Sequence, residues 1–249
     1  MSPKQAGQSQ SKKRAASSKA EHELVFLFDV DNTLFDNDRM SSDLFGHVGR
    51  AFGAAARQRY LEIYEELRKE LGYADYLGAI ERYRLEKMHD PRFLSVSNWL
   101  IDYAFPRRVF PGAHEVIDQC RRWGKAAILS DGDAVFQPRK VQQSGLWRAF
   151  NGNVLIFIHK ERELDWVEKF YPARHYVMID DKLRLLAAIK DIWKDRVTTV
   201  WVQQGHYAAD KAANAKYPAA DHSVRRIADI LHLKKTDFVP LKRAASQSA

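Results

Sequence analysis

The sequence predicts an α/β protein built on a mostly parallel sheet, and three observations carry that reading. Short, unbroken apolar runs recur along the chain, amphipathic stretches of helical length separate them, and a long helical segment interrupts the order after the first run. The runs are Leu24 to Phe28 (LVFLF), Ala126 to Leu129 (AAIL), Val154 to Ile158 (VLIFI), Tyr176 to Ile179 (YVMI) and Val197 to Val202 (VTTVWV). Continuous hydrophobicity marks strands covered on both faces, and strand–helix alternation implies crossover connections.

Each element has its own justification. PGAHEVIDQCRRWG, AVFQPRKVQQSGLWRAF, ERELDWVEKFYP and KLRLLAAIKDIWKD supply the helices between the later runs. The expected architecture is a doubly wound, Rossmann-like core spanning residues 23–35 and 108–233. Between its two parts, residues 36–107 read as helices throughout. SDLFGHVGRAFGAAARQRYLEIYEELRKELG gives one or two, with Ser42 a candidate cap and Gly72 a candidate stop. ADYLGAIERYRLEKM and the stretch around LSVSNWLIDYAF continue the pattern. Connections normally take a handful of residues, so an insertion of this size is expected to be a cap over a binding site.

Composition bounds the function. The chain has 249 residues, 45% of them hydrophobic and 12% aromatic, which suits a globular protein with a substantial core. Its single cysteine, Cys120, excludes an internal disulfide framework, fits a reducing compartment such as the cytoplasm, and is expected to be buried and inert. No apolar run approaches the about 18 residues that span a bilayer, so a soluble protein is expected. The formal charge of +8 is concentrated at the start, where Lys4, Lys12, Lys13, Arg14 and Lys19 meet no acid. Residues 1–22 and 234–249 are expected to be basic, flexible tails. Without the first tail the body is only mildly basic, so charge alone does not argue for nucleic acid.

The chemistry is expected where the strands end, because ligands of open parallel sheets bind beyond the carboxyl ends. The first run ends in Asp29-Val30-Asp31-Asn32-Thr33, the second in Ser130-Asp131-Gly132-Asp133, the third in His159-Lys160, and the fourth in Asp180-Asp181. An aspartate at a strand end often only caps the next helix, but the whole set is harder to dismiss. In an extended chain Asp29 and Asp31 would point the same way. Crowded carboxylates resist ionisation unless a cation intervenes. Asp29, Asp31, Asp180 and Asp181 are therefore expected to share a hard divalent ion, with Mg²⁺ the natural choice. A lysine and a hydroxyl at the same edge suit a phosphorylated small-molecule ligand.

FDVDNTL resembles the first motif, D-x-D-x-T, of the phosphatase branch of the haloacid dehalogenase superfamily. ILSDGD resembles its second motif and VMIDD its fourth, and the early helical insertion agrees. The resemblance implies a phosphate monoester hydrolase working through an aspartyl-phosphate. Asp29 would be the nucleophile. Asp31 would be the acid and base, with its main-chain carbonyl on the metal. Ser130, Asp131 and Lys160 would hold the phosphoryl group. Relatives commonly have Gly-Asp at 180–181, so Asp181 is the favoured direct ligand, with Asp180 close behind. For the third-motif lysine, Lys140 competes with Lys160. Strand-end position favours Lys160, and a lysine on a helix such as that of Lys140 ordinarily reads as solvated. Thr33 is expected to orient its loop. The superfamily's dehalogenases lack the second aspartate, so Asp31 argues for ester hydrolysis.

A phosphomutase-like phosphoryl transfer, or a binding protein using its basic tails, are the alternatives. Tyr60, Tyr64, Tyr73, Tyr76 and Tyr83, with Arg57, Arg59, Arg68, Arg82 and Arg84, could line a nucleotide or sugar phosphate site in the cap. The favoured expectation is that they pack its core and coat its surface. Residues 203–207 could lie at the rim of the site, with His206 expected to be an ordinary loop histidine.

Overall fold

A computed structural model describes residues 21–239. Among them, six parallel strands form one sheet in the order β3-β2-β1-β4-β5-β6. The strands are β1 (His22–Phe28), β2 (Lys125–Asp131), β3 (Val154–Phe157), β4 (Ala173–Asp180), β5 (Val197–Val202) and β6 (His222–Val224). Strand order reverses between β1 and β4, whose ladder pairs Phe28 with Ile179. That reversal opens the crevice in which doubly wound sheets bind ligands.

The apolar run of β1 splits by the two-residue period of a strand. Phe26 and Phe28 enter one apolar cluster, with Ile128 and Ile179, while Val25 and Leu27 enter a second on the opposite face, with Leu129 and Met178. Burial on both faces is why the run does not alternate. Strand β6 was not foreseen. It is a three-residue edge strand that pairs Val200 with His222, and HSV carries no apolar run.

The insertion is helical as expected: α1 (Asn37–Phe52), α2 (Ala54–Leu71), α3 (Tyr76–Glu86) and α4 (Arg92–Ile101). The α1 cap is Asp36, whose carboxylate accepts the Arg39 N–H at 3.0 Å, and Ser42 lies inside the helix. Asp36 competes better because its carboxylate also matches the helix dipole. Gly72 ends α2 in the left-handed conformation, φ 81°. Met40, Leu44, Ile63 and Leu67 share one continuous apolar cluster with the β1 face, so the helical layer is packed onto the sheet.

The core helices are α5 (Ala113–Trp123), α6 (Phe136–Gln143), α7 (Leu146–Ala149), α8 (Leu164–Phe170) and α9 (Leu183–Trp193), with short α10 (Gly205–Ala209) and α11 (Lys211–Asn214) following β5. Cys120 is fully buried on α5. No helix of the described residues is long and apolar enough to cross a membrane. The expected basic tail at 1–22 lies outside the described residues up to 20, and His22 already belongs to β1. In the expected tail at 234–249, Phe238 is fully buried against Phe26 and Trp123, while residues 240–249 lie outside the description.

Candidate active site

The centre of the crevice is acidic. The Asp29 N–H donates to Ile179 O at 2.9 Å, which carries the β1–β4 ladder one residue past the strand and fixes where Asp29 starts. Strand β4 delivers Asp180 and then Asp181. Asp29, Asp180 and Asp181 are all buried, and each offers an oxygen within 4.8 Å of the others. Burial pushes the Asp29 carboxyl up to about 6, with Lys160 pulling it down and Asp180 adding to the rise. Burial also holds Asp181 well above the usual carboxylate range, against the pull of Lys182. Both Asp181 oxygens are buried without a hydrogen-bond partner. Buried carboxylates ordinarily pair or coordinate, so oxygen donors of this kind fit a hard divalent cation.

Lys160 anchors the acids from the β3 side. His159 takes a left-handed conformation, φ 59°, and turns the chain so that Lys160 N donates to Asp131 Oδ1 at 2.8 Å. The Lys160 ammonium is fully buried, 2.6 Å from both Asp29 Oδ1 and Asp180 Oδ2. It also donates to Leu129 O at 3.2 Å. Paired acids keep this lysine charged despite its burial, raising its pKa well above the ordinary value.

The structure groups three of the four expected acids and turns the fourth aside. After Asp29 the chain leaves the strand in a tight turn in which Leu34 and Phe35 N–H groups donate to Val30 O and Asn32 adopts φ 61°. The extended-chain reading of Asp29 and Asp31 therefore fails. The Asp31 carboxylate meets Lys140 Nζ at 2.7 Å. Lys140 is itself buried, correcting the expectation of a solvated helix lysine, because α6 packs over the turn and points this side chain inward.

Ser130 ends buried at the tip of β2, accepting a hydrogen bond from Gln137 Nε2 at 3.0 Å and donating to Asp131 O at 3.3 Å. The Asp131 carboxylate faces the crevice and supports Lys160. Asp133 holds the turn that leads into α6, accepting from Val135 and Phe136 N–H at 2.8 and 2.6 Å. Thr33 is fully buried in the turn.

Above the acids lies a narrow cleft lined by Asp31 and Lys182 from the core, Tyr64, Arg68 and Tyr73 from the insertion, and His206 and Tyr207 from α10. Arg68 Nη1 donates to Tyr207 Oη across it at 3.0 Å. His206 is held by Asp38: its N–H donates to Oδ2 at 2.8 Å and Nδ1 lies 2.6 Å from Oδ1. A cavity of about 290 Å³ adjoins the cleft, and a larger one of about 610 Å³, lined by His47, Trp99 and Arg107, touches none of these acids. Tyr60, Tyr76 and Tyr83 pack the helical core. Arg59, Arg82 and Arg84 pair with surface glutamates, so only Arg68 of these arginines reaches the cleft. Tyr207 lies at the rim where residues 203–207 were expected, His206 lines the cleft from α10 rather than being an ordinary loop histidine, and sequence reading missed Lys182. Only the position of Lys182, directly after the acidic pair, could have signalled it.

A family profile for haloacid dehalogenase-like hydrolases matches residues 24–192, which takes in every strand-end residue above. The chain belongs to that family. A Burkholderia xenovorans LB400 protein described as a haloacid dehalogenase-like hydrolase is 55% identical, over 87% of this chain and 98% of its own, with a TM-score of 0.83. An L-2-haloacid dehalogenase from Xanthobacter autotrophicus (21% identity, 84% and 97% coverage, TM-score 0.55) shares the fold. So does a phosphatase of the family from Thermococcus onnurineus (18% identity, 84% and 96% coverage, TM-score 0.60). No curated protein matched the sequence. Membership makes this haloacid dehalogenase-like chain a hydrolase of small molecules.

Proposed function

We propose that the protein is a magnesium-dependent phosphate monoester hydrolase that works through an aspartyl-phosphate on a small phosphorylated metabolite. The observation that carries this reading is the trio of buried acids, with both Asp181 oxygens left without a hydrogen-bond partner. Haloalkanoate cleavage has no use for a divalent cation at that position, nor for a second aspartate at 31. Asp29, Asp180 and Asp181 would hold the ion, together with the Asp31 main-chain carbonyl. When bound, Mg²⁺ would neutralise charge on the phosphoryl oxygens.

The remaining steps belong to the chain. A carboxylate oxygen of Asp29 attacks phosphorus, dividing one hard displacement into two easier ones. Lys160, already 2.6 Å from Asp29, offers a fixed positive charge to the transferring group, and the Ser130 hydroxyl turns toward the same oxygens. The Asp131 carboxylate acts by holding the Lys160 backbone rather than by meeting an anion. Asp31 protonates the departing ester oxygen and then accepts a proton from the water that attacks the intermediate. Residues 36–107 act as the cap that chooses the leaving group, through Arg68 and Tyr73. A single buried cysteine suits a reducing, cytoplasmic setting.

Turnover of p-nitrophenyl phosphate and a panel of phosphate esters, with Mg²⁺ and with EDTA, tests the reading. Activity that needs Mg²⁺ and vanishes in Asp29→Asn is expected. Chloride release from 2-haloalkanoates without Mg²⁺, and no ester turnover, would overturn it.

A further inference from the structure

The most unusual charged group outside the acidic trio is Lys140. Its ammonium comes from the middle of α6, is 1% exposed, and has two oxygen acceptors: Asp31 Oδ1 at 2.7 Å and Asn37 Oδ1 at 3.0 Å. The rings of Phe35 and Phe136 complete its surroundings, with centroids 5.5 and 5.6 Å away. Burying an ammonium is costly, and an exposed lysine could have coated α6 at no expense. Asn37 continues the chain of contacts, donating through Nδ2 to Tyr76 Oη at 2.9 Å, and Tyr76 lies 2.6 Å from Ser41 Oγ. Tyr76 belongs to α3, in the helical insertion. Lys160 is engaged with Asp29 and Asp180, so the two buried lysines serve different carboxylates.

We infer that Lys140 is a positioning residue for proton transfer: it fixes the Asp31 carboxyl and, through Asn37 and Tyr76, ties it to the insertion. This rests on the phosphatase reading above. As the bond from phosphorus to the ester oxygen breaks, its electron pair stays on that oxygen and the Asp31 proton moves there. Asp31 is left a carboxylate facing the Lys140 ammonium. That carboxylate then takes a proton from the water whose oxygen bonds to phosphorus as the Asp29 carboxylate departs. The Lys140 ammonium stabilises the carboxylate formed when Asp31 gives its proton away, and its second acceptor, Asn37 Oδ1, holds the ammonium, and through it that carboxyl, in one place. The consequence is selectivity by leaving group. An alkoxide needs the proton as it departs, whereas p-nitrophenolate does not.

The test compares kcat/KM for an alkyl phosphate and for p-nitrophenyl phosphate in wild type, Lys140→Met, Asp31→Asn and the double variant, all with Mg²⁺. General acid catalysis is worth about 10²–10⁴-fold. Lys140→Met is expected to lose at least about ten-fold on the alkyl ester and less than about three-fold on the aryl ester. In the Asp31→Asn background the same change is expected to cost nothing further, because its target is gone. Equal losses on both esters, or additive losses in the double variant, would show a merely structural lysine and overturn the inference. If Lys140→Met does not fold, Asn37→Ala, which removes one of the ammonium's two anchors, supplies the same comparison with the same two outcomes. A wild type inactive on both esters would instead sink the phosphatase reading, so the two failures are distinguishable.

Discussion

Replacing Asp181 by asparagine should make the protein more stable and less active at once. The three buried carboxyls offer oxygens within 4.8 Å of one another. At an effective dielectric of about 20, two unit charges at that distance repel by about 3.5 kcal/mol. Lys160 offsets this for Asp29 and Asp180, at 2.6 Å from each, but neither Asp181 oxygen has a hydrogen-bond partner. A charge at Asp181 makes the fold bear a repulsion that a neutral amide of the same shape avoids. With Lys160 offsetting part of it, Asp181→Asn should gain about 1–3 kcal/mol in EDTA. Divalent binding to the folded state adds about 2.7 kcal/mol at a hundred-fold excess over Kd, and the variant should forfeit most of it. Urea unfolding in EDTA and in Mg²⁺ reads both effects. The expected result is a variant midpoint above wild type in EDTA, a Mg²⁺-induced rise in wild type only, and lost ester turnover. A variant less stable in EDTA, or one that keeps the full Mg²⁺ response, would refute the reasoning.

Lys160→Met should leave Asp29 and Asp180 uncompensated in the interior, costing about 3–5 kcal/mol. Thermal unfolding should show a fall in Tm on the order of 10 °C, and a change under about 2 °C would contradict the assigned ion pairs. Gly72→Ala would put a methyl 2.4 Å from His159 Cε1 at a φ of 81°. A loss of about 1–3 kcal/mol in urea unfolding is expected, since His159 sits in its own constrained turn. Asp221 accepts from Lys190 Nζ, Thr199 N–H and the Thr199 hydroxyl. Burial alone would raise its pKa, but those partners outweigh it and hold it below the ordinary value of 3.8. A depressed carboxyl contributes stability above its unfolded pKa and loses it as pH falls through the folded one. Asp221→Asn should therefore lower stability at pH 7, by no more than about 1 kcal/mol because the pair is partly solvated, and its gap to wild type should close below about pH 4. Arg68→Met, which removes the guanidinium from the cleft, should raise KM for phosphate esters about ten-fold with a smaller change in kcat, measured by steady-state kinetics.

Whatever depends on neighbours in the chain was legible in the sequence. The apolar run Leu24 to Phe28, the alternation that follows, and the helical insertion are local patterns, and each became the expected kind of element. The convergence of Asp29, Asp180 and Lys160 was legible too, because a parallel sheet brings strand ends to one edge whatever their separation. Tertiary structure alone decided the rest. Asp31 stays out of the trio because the strand has already ended at Phe28, and its carboxylate meets a lysine 109 residues away. Lys140 looked like a solvated helix residue because burial depends on what packs over a helix, which its own sequence does not state. Strand β6 and the buried Phe238 depend on edge pairing and on an aromatic pocket formed by Phe26 and Trp123. Local pattern fixes what a segment can become, while long-range packing decides which charges end up in the dark together.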